Sequence, residues 1–310
     1  MTAFSSSLQE FPFSLLARQA GGTLNDLQTG CHDEVPGLEP WYGYVPSLAA
    51  GVTFSVIFGL LLLGHVFNAT KPPRTHSIIL AVSALTELIG WAARTWASKC
   101  PYNKAAFTMQ IITLIIAPVF VTAAIYVLLG LVIGMRGHAY SLIKPRLYIY
   151  IFCTCDVIAL LVQAAGAALA SRAFDQGRDT SRGAHIVVGG VVFQLATMTV
   201  FATLFLIFLY RSRQVATSTP LLLMIASLWV SFLAVFIRSV FRCVQLVQGF
   251  KGHLSTTEAF FIALDGAVMS LAIAVFNFIR LPGTAGSRRE KPPANLDGNT
   301  NTNTNTSTTT

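Results

Sequence analysis

The amino-acid sequence predicts an all-α fold: a polytopic membrane protein built as a seven transmembrane helix bundle. Three observations predict it. Charged residues make up only 11% of the 310, against roughly 25% in soluble domains. Hydrophobic residues reach 54%, with a mean hydropathy of +0.62. Seven long apolar stretches lie between residues 44 and 280, separated by short polar or basic loops. A helix rises ~1.5 Å per residue and a bilayer core is ~30 Å thick, so ~20 apolar residues suffice to cross. Lipid offers no partner to backbone N–H and C=O groups, and continuous apolar runs satisfy them as helices rather than as strands of a barrel.

Residues 1–43 read as an extracellular N-terminal segment. Its apolar patch at 11–17 follows Glu10 and lacks a basic leader, so the first span is expected to act as its own insertion signal. The spans are placed at 44–67, 77–97, 107–135, 147–170, 184–210, 220–242 and 257–280, forming a membrane domain over 44–280. The first has no Asp, Glu, Lys or Arg. Pro72, Pro73, Pro101, Pro145 and Pro220 fall between spans or at a span's edge, where they do little harm. Pro118 falls inside the third span, where it should kink the helix and free a carbonyl that must find another partner. The tail over 281–310 ends in alternating Asn and Thr, has almost nothing apolar to bury, and is expected to be a disordered cytosolic segment.

Orientation follows from the loop cations. Lys71, Arg74, Arg136, Lys144, Arg146, Arg211, Arg213, Arg280, Arg288, Arg289 and Lys291 share one side, against Arg18, Lys99, Lys104, Arg172, Arg178, Arg182 and Lys251 on the other. The richer side is expected to be cytosolic, giving an N-terminus outside and a C-terminus inside. The net charge of +8 then needs only anionic cytoplasmic lipid as its counterpart, not nucleic acid. Of five cysteines, Cys153 and Cys155 lie within an apolar run and read as buried thiols. Cys31, Cys100 and Cys243 face the oxidising side in this orientation, and Cys31–Cys100 is the favoured disulfide. Asn68 and Asn305 head glycosylation sequons on the expected cytosolic side, where they stay unmodified.

The ionisable residues inside the spans carry most information, because a charge at the bilayer centre costs at least ~2.5–3.5 kcal/mol on insertion scales. Glu87 and Arg94, Asp156 and Gln163, and Glu258 and Asp265 are each seven apart, so each pair marks one helix face. Arg238 and Arg242, four apart, share another. Depth suggests two layers: an outer one with Arg94, Arg238, Arg242, Glu258 and His185, and a midplane one with Glu87, Asp156, Asp265, Gln163 and Gln194. Ion pairs such as Glu87–Arg94 can simply lock a bundle together. Three carboxylates at one depth without three cations beside them can instead accept protons or bind an amine headgroup, while the Arg layer can engage phosphate or carboxylate. Single histidines such as His65 and His185 read as structural. Gly130 and Gly134, and Gly166 and Ala170, have small-xxx-small spacing for close helix packing. Tyr42, Tyr44, Trp91 and Trp96 suit interfacial belts.

Several chemistries find no footing. There is no GxxxxGK[ST], no HExxH, no GxSxG and no set of three intramembrane histidines. No cofactor-binding motif stands out, and no inverted repeat relates the halves. An intramembrane enzyme is therefore the weakest reading.

These motifs, in order, resemble the fungal lipid-translocating exporter family, seven-span proteins linked to aminocholesterol resistance and to release of sphingoid long-chain bases. The resemblance covers about 40–283. It rests on Tyr42-Gly-Tyr-Val-Pro-Ser47, on Glu87-Leu-Ile-Gly-Trp-Ala-Ala-Arg94, and on Gln110, Ala117-Pro118 and Ala123-Ala124-Ile-Tyr126. It continues through Ile151-Phe152, Asp156, Gln163, Gly166, Gly190 and Gln194. It closes with Arg238-Ser-Val-Phe-Arg242, Gln248-Gly249, Glu258, Asp265 and Pro282-Gly283. Gln245 departs from it, since relatives usually carry a carboxylate there. The resemblance implies a plasma-membrane exporter of amphipathic lipids or toxins that confers resistance. Its partners would be the bilayer and the amphiphile; no protein partner is legible. Read with the residues, the headgroup would meet Glu87, Asp156 and Asp265 with Gln163 and Gln194, and leave past Arg94, Arg238, Arg242 and Glu258. A seven-span lipid receptor that signals without transporting has the same topology.

Overall fold

A computed structural model describes residues 29–32, 40–70, 75–176, 178–215, 218–248 and 257–278. Residues 1–28 and the tail expected over 281–310 lie outside the described residues, as does Arg280. Seven helices are long and apolar enough to span a membrane: α1 Leu48–Thr70, α2 Thr75–Ala97, α3 Lys104–Arg136, α4 Pro145–Asp175, α5 Ser181–Arg211, α6 Thr219–Gln248 and α7 Glu258–Phe278. A short 3₁₀ turn, His138–Tyr140, joins α3 to α4, and no strand occurs among the described residues. The chain is an integral, multi-pass membrane protein.

Most helices overrun the expected spans by a few residues. Hydropathy marks what sits in hydrocarbon, whereas the hydrogen-bonded ladder continues into polar flanks such as Lys104 and Arg211. The first helix starts later than expected, at Leu48, because Pro46 and Ser47 end an extended entry. Before it, Gly43 adopts φ 72°, a left-handed turn open to a residue without Cβ, and its N–H reaches the Pro40 carbonyl at 2.9 Å. Asn103 caps α3, its side chain accepting the Ala106 N–H at 3.1 Å.

Neighbours in sequence pack as neighbours in space, α7 returns to α1, and α3 runs through the middle against α2, α4 and α6. Lipid is as apolar as the side chains, so such helices associate through packing and interhelical hydrogen bonds rather than through burial from water. An aromatic core supplies much of the packing around α3 to α6. Tyr126 meets Phe201 at 4.8 Å, Phe201 meets Phe232 at 5.4 Å, and Phe205 stacks on Trp229 at 4.8 Å. Between α4 and α5 small residues set the approach. A Cβ on Gly183 would lie 2.5 Å from the Ala170 nitrogen, and one on Gly166 would lie 2.8 Å from the Val187 nitrogen. The Gly130 and Gly134 pair makes no such seam: Gly134 has nothing within 4 Å and Gly130 only Pro145, at 3.7 Å.

Two readings of single residues are corrected. Trp91 does not sit in an interfacial belt; it is fully buried between Phe54 at 4.4 Å and Phe261 at 5.6 Å. Trp96, 43% exposed, does face outward. Cys153 and Cys155 are half-buried rather than enclosed; two residues apart on α4, they point to different sides of the helix, and neither side is fully covered. His65 is buried and bonds the Ile273 carbonyl at 3.2 Å, tying α1 to α7, whereas His185 is exposed on α5.

Candidate functional site

Pro118 organises the middle of the structure. Proline has no N–H, so the Leu114 carbonyl, four residues back on α3, loses its helical partner. The guanidinium of Arg238 on α6 takes its place, with Nη2 2.5 Å from that oxygen. The same side chain presents Nε to Asp265 Oδ1 on α7 at 2.5 Å, and Arg242, one turn along α6, pairs with Asp265 Oδ2. Asp265 lies in a π-helical stretch, Ile262–Ala267, within α7. Such an inserted turn re-aims one side chain without ending the helix. Gly266 lets this wider turn press inward, since a Cβ there would lie 2.7 Å from Phe54 and 2.8 Å from Trp91.

A second ion pair lies at the same end of the bundle. Arg94 on α2, fully buried, donates to Glu258 Oε1 at 2.7 Å and to the Tyr44 hydroxyl at 3.0 Å. Glu258 opens α7 and also accepts the Ser47 N–H at 2.8 Å, so one carboxylate fastens the start of α1 to the start of α7. Phe261 receives both cations on its ring, Arg94 at 4.4 Å and Arg242 at 5.4 Å from the centroid, and so bridges the two pairs. Tyr42 donates to Gln110 Oε1 at 2.7 Å, and burial holds its phenol above the usual tyrosine range, against the opposing pull of Arg94. Nearby, Trp41 donates to the Tyr102 carbonyl at 2.8 Å, and Cys31 and Cys100 are joined by a disulfide.

Glu87 is different. It lies on α2 one turn below Trp91, is 0% exposed, and neither carboxylate oxygen has a hydrogen-bond partner among the described residues. The charged groups in electrostatic reach are Arg238, Asp265 and Arg242, and both arginines are already turned to Asp265. The Trp91 indole N–H is close but closes no bond to it. The assembly of Glu87, Glu258 and Asp265 with Arg94, Arg238 and Arg242 is charge-balanced when all are ionised. Within it, the only carboxylate without a bonded cation is Glu87.

The two-layer expectation gives way here. Arg238 and Arg242 reach Asp265 directly, because long guanidinium side chains span the depth between them. Arg94 takes Glu258 rather than Glu87. Asp156 belongs to another place: on α4, 1% exposed, its Oδ2 accepts from Thr122 at 2.8 Å and from Tyr126 at 3.1 Å, both on α3. Its Oδ1 has no partner among the described residues. Gln163 on α4 donates to Gln194 on α5 at 3.2 Å, and Gly190 makes room for the Gln163 side chain. The expected residues therefore divide into a six-charge cluster on α2, α6 and α7, a carboxylate on α4 held from α3, and an amide pair between α4 and α5. Gln245 lies 3.5 Å from Arg242, too long for a firm bond. Sequence reasoning passed over Leu114, Phe261, Thr122 and Tyr126 as site residues. Pro118 pointed to the first by its offset of four, and Tyr126 stood in the quoted motif without a role.

A seven-helix membrane bundle with a buried, balanced charge cluster at one end is the class of protein that fold and site define. The chain belongs to the RTA1-like family: the family model described as "RTA1 like protein" matches residues 80–287. It is similar to the sphingoid long-chain base transporter RSB1 of Saccharomyces cerevisiae, 30% identical over 83% of this chain and 78% of that protein. It is also similar to protein RTA1 of that yeast, 27% identical over 76% of this chain and 83% of that one. Protein RTM1 of Saccharomyces cerevisiae is 30% identical over 69% and 71%. No solved structure matches.

Proposed function

We propose that this protein translocates amphipathic, lipid-like molecules across its membrane, and that Glu87 receives a cationic amine headgroup. The single observation that carries this reading is the Glu87 carboxylate: fully enclosed, with the Trp91 indole as its close neighbour, no hydrogen bond closed to either oxygen among the described residues, and its neighbouring guanidiniums engaged by Asp265. A buried unpaired charge is costly, and an ammonium with three N–H donors supplies what is missing. The similarity to a protein named as a sphingoid long-chain base transporter supports the same headgroup chemistry. Arg94, Arg238 and Arg242 hold the surrounding acids in place and line the way out. In this reading the disulfide end faces the cell exterior at the plasma membrane, where an oxidising environment suits Cys31–Cys100.

The test uses purified protein in proteoliposomes with a labelled long-chain amine in one leaflet. Translocation should exceed that of empty liposomes. A charge-assisted hydrogen bond is worth about 1.5–3 kcal/mol, so Glu87→Gln should slow it roughly tenfold to a hundredfold. A wild-type protein that binds the amine yet moves none of it between leaflets would replace this reading with that of a lipid sensor.

A further inference from the structure

We propose that Asp156 is a reversible proton-binding site, and that its proton is the ion coupled to movement of the headgroup at Glu87. The existence of the site rests on geometry alone; its use rests on the translocator reading above.

The Thr122 hydroxyl lets Asp156 exist with or without a proton. The Thr122 hydroxyl has one proton and two acceptors in reach: Asp156 Oδ2 at 2.8 Å and the Val119 carbonyl of its own helix at 2.9 Å. When Asp156 is ionised, Thr122 turns its proton toward the carboxylate. When Asp156 is protonated, the carboxyl O–H donates to Thr122 Oγ1, and the Thr122 proton turns to Val119. Rotation of one hydroxyl keeps the Thr122–Oδ2 hydrogen bond in both states, with no heavy atom moving. Tyr126, 3.1 Å from the same Oδ2, accompanies either state.

The surroundings fit a site that must change charge. Asp156 is 1% exposed and its Oδ1 has no partner among the described residues. Among those residues no cation is bonded to it, in contrast with Asp265 and Glu258, each of which is paired with arginine. The titratable groups facing it are Tyr126 on α3 and Cys153 on α4. From α5, Phe201 packs on the Tyr126 ring at 4.8 Å and so backs the phenol that reaches Asp156. A buried carboxylate held by neutral hydroxyls, on a helix that packs against the Pro118-bearing α3, is placed to couple proton uptake to the helix that carries the Leu114–Arg238 contact.

The experiment has two arms on the full-length protein. In nanodiscs, infrared difference spectra across a pH titration should contain a protonated-carboxyl C=O band that disappears as pH rises. The band should be absent from Asp156→Asn, and present in Glu87→Gln and in Thr122→Ser, which keeps the hydroxyl. Thr122→Val, of matching shape without it, should alter the titration. A spectrum unchanged by Asp156→Asn, or without any titrating band, overturns the proposal. In proteoliposomes, flux of the labelled long-chain amine should change severalfold when a proton gradient is imposed, and Asp156→Asn should lose that response. Wild-type flux that ignores the gradient overturns the coupling. No flux under any gradient, beside a band that still titrates, leaves the proton site standing and defeats the translocator reading instead.

Discussion

Changing Arg238 to Met tests whether the proline in α3 is held from α6. The substitution removes the donor that reaches the Leu114 carbonyl, whose helical partner Pro118 cannot replace it. Leaving a buried acceptor unmade costs about 1–3 kcal/mol. Breaking a buried ion pair costs about 3–5 kcal/mol when the remaining charge is stranded; here Asp265 keeps Arg242, so that component is smaller. Pro118→Ala separates the two. It restores an N–H for Leu114, so in that background Arg238→Met no longer orphans the carbonyl. The four-member cycle should therefore show a coupling of about 1–3 kcal/mol, with Arg238→Met less damaging in the Pro118→Ala background than in the wild-type chain. Reversible unfolding by SDS titration in mixed micelles, followed by tryptophan fluorescence, measures each corner. A coupling below about 0.5 kcal/mol, the spread expected of independent sites, would refute the reasoning.

The glycines should divide by their surroundings. Gly183→Ala, which drives a Cβ against Ala170 backbone, should destabilise by about 1–3 kcal/mol, whereas Gly134→Ala, with open space around it, should be neutral or stabilising by up to about 1 kcal/mol in the same titration. Alkylation of the denatured chain with a mass-tagged maleimide should add three tags without reductant and five with it, since Cys153, Cys155 and Cys243 are free; five tags in both samples would remove the disulfide. Glu258→Gln weakens both its bond to Arg94 and its hold on the Ser47 N–H, and should lower stability more than Glu87→Gln, which breaks no hydrogen bond. Equal losses in the two variants would mean that Glu87 is bonded after all.

Seven spans were legible because each is long, apolar and bounded by charge, and only the ends shifted. The need for a partner near Pro118 was legible too, since the missing N–H follows from the residue itself; that the partner is Arg238 was not, because α3 and α6 lie far apart in the chain. Depth along a helix proved a weak guide to contact. Placing Arg238 and Asp265 in different layers ignored the reach of a guanidinium and the π-turn that re-aims Asp265. Periodicity put Glu87 and Arg94 on one face correctly, yet a shared face does not make them partners when Glu258 opens a helix beside Arg94. Trp91 read as an interfacial residue because composition near a span's end favours that; a neighbouring glycine, Gly266, admits it to the interior.

Binding is the most direct measure of whether Glu87 receives an amine. Affinity of the purified protein for a long-chain amine, compared with a neutral alcohol of equal chain length, isolates the headgroup from the tail. The account predicts that wild type prefers the amine by at least about tenfold, or ~1.4 kcal/mol, and that Glu87→Gln erases the preference while still binding both tails. An equal preference in wild type and Glu87→Gln, or none in either, would contradict it.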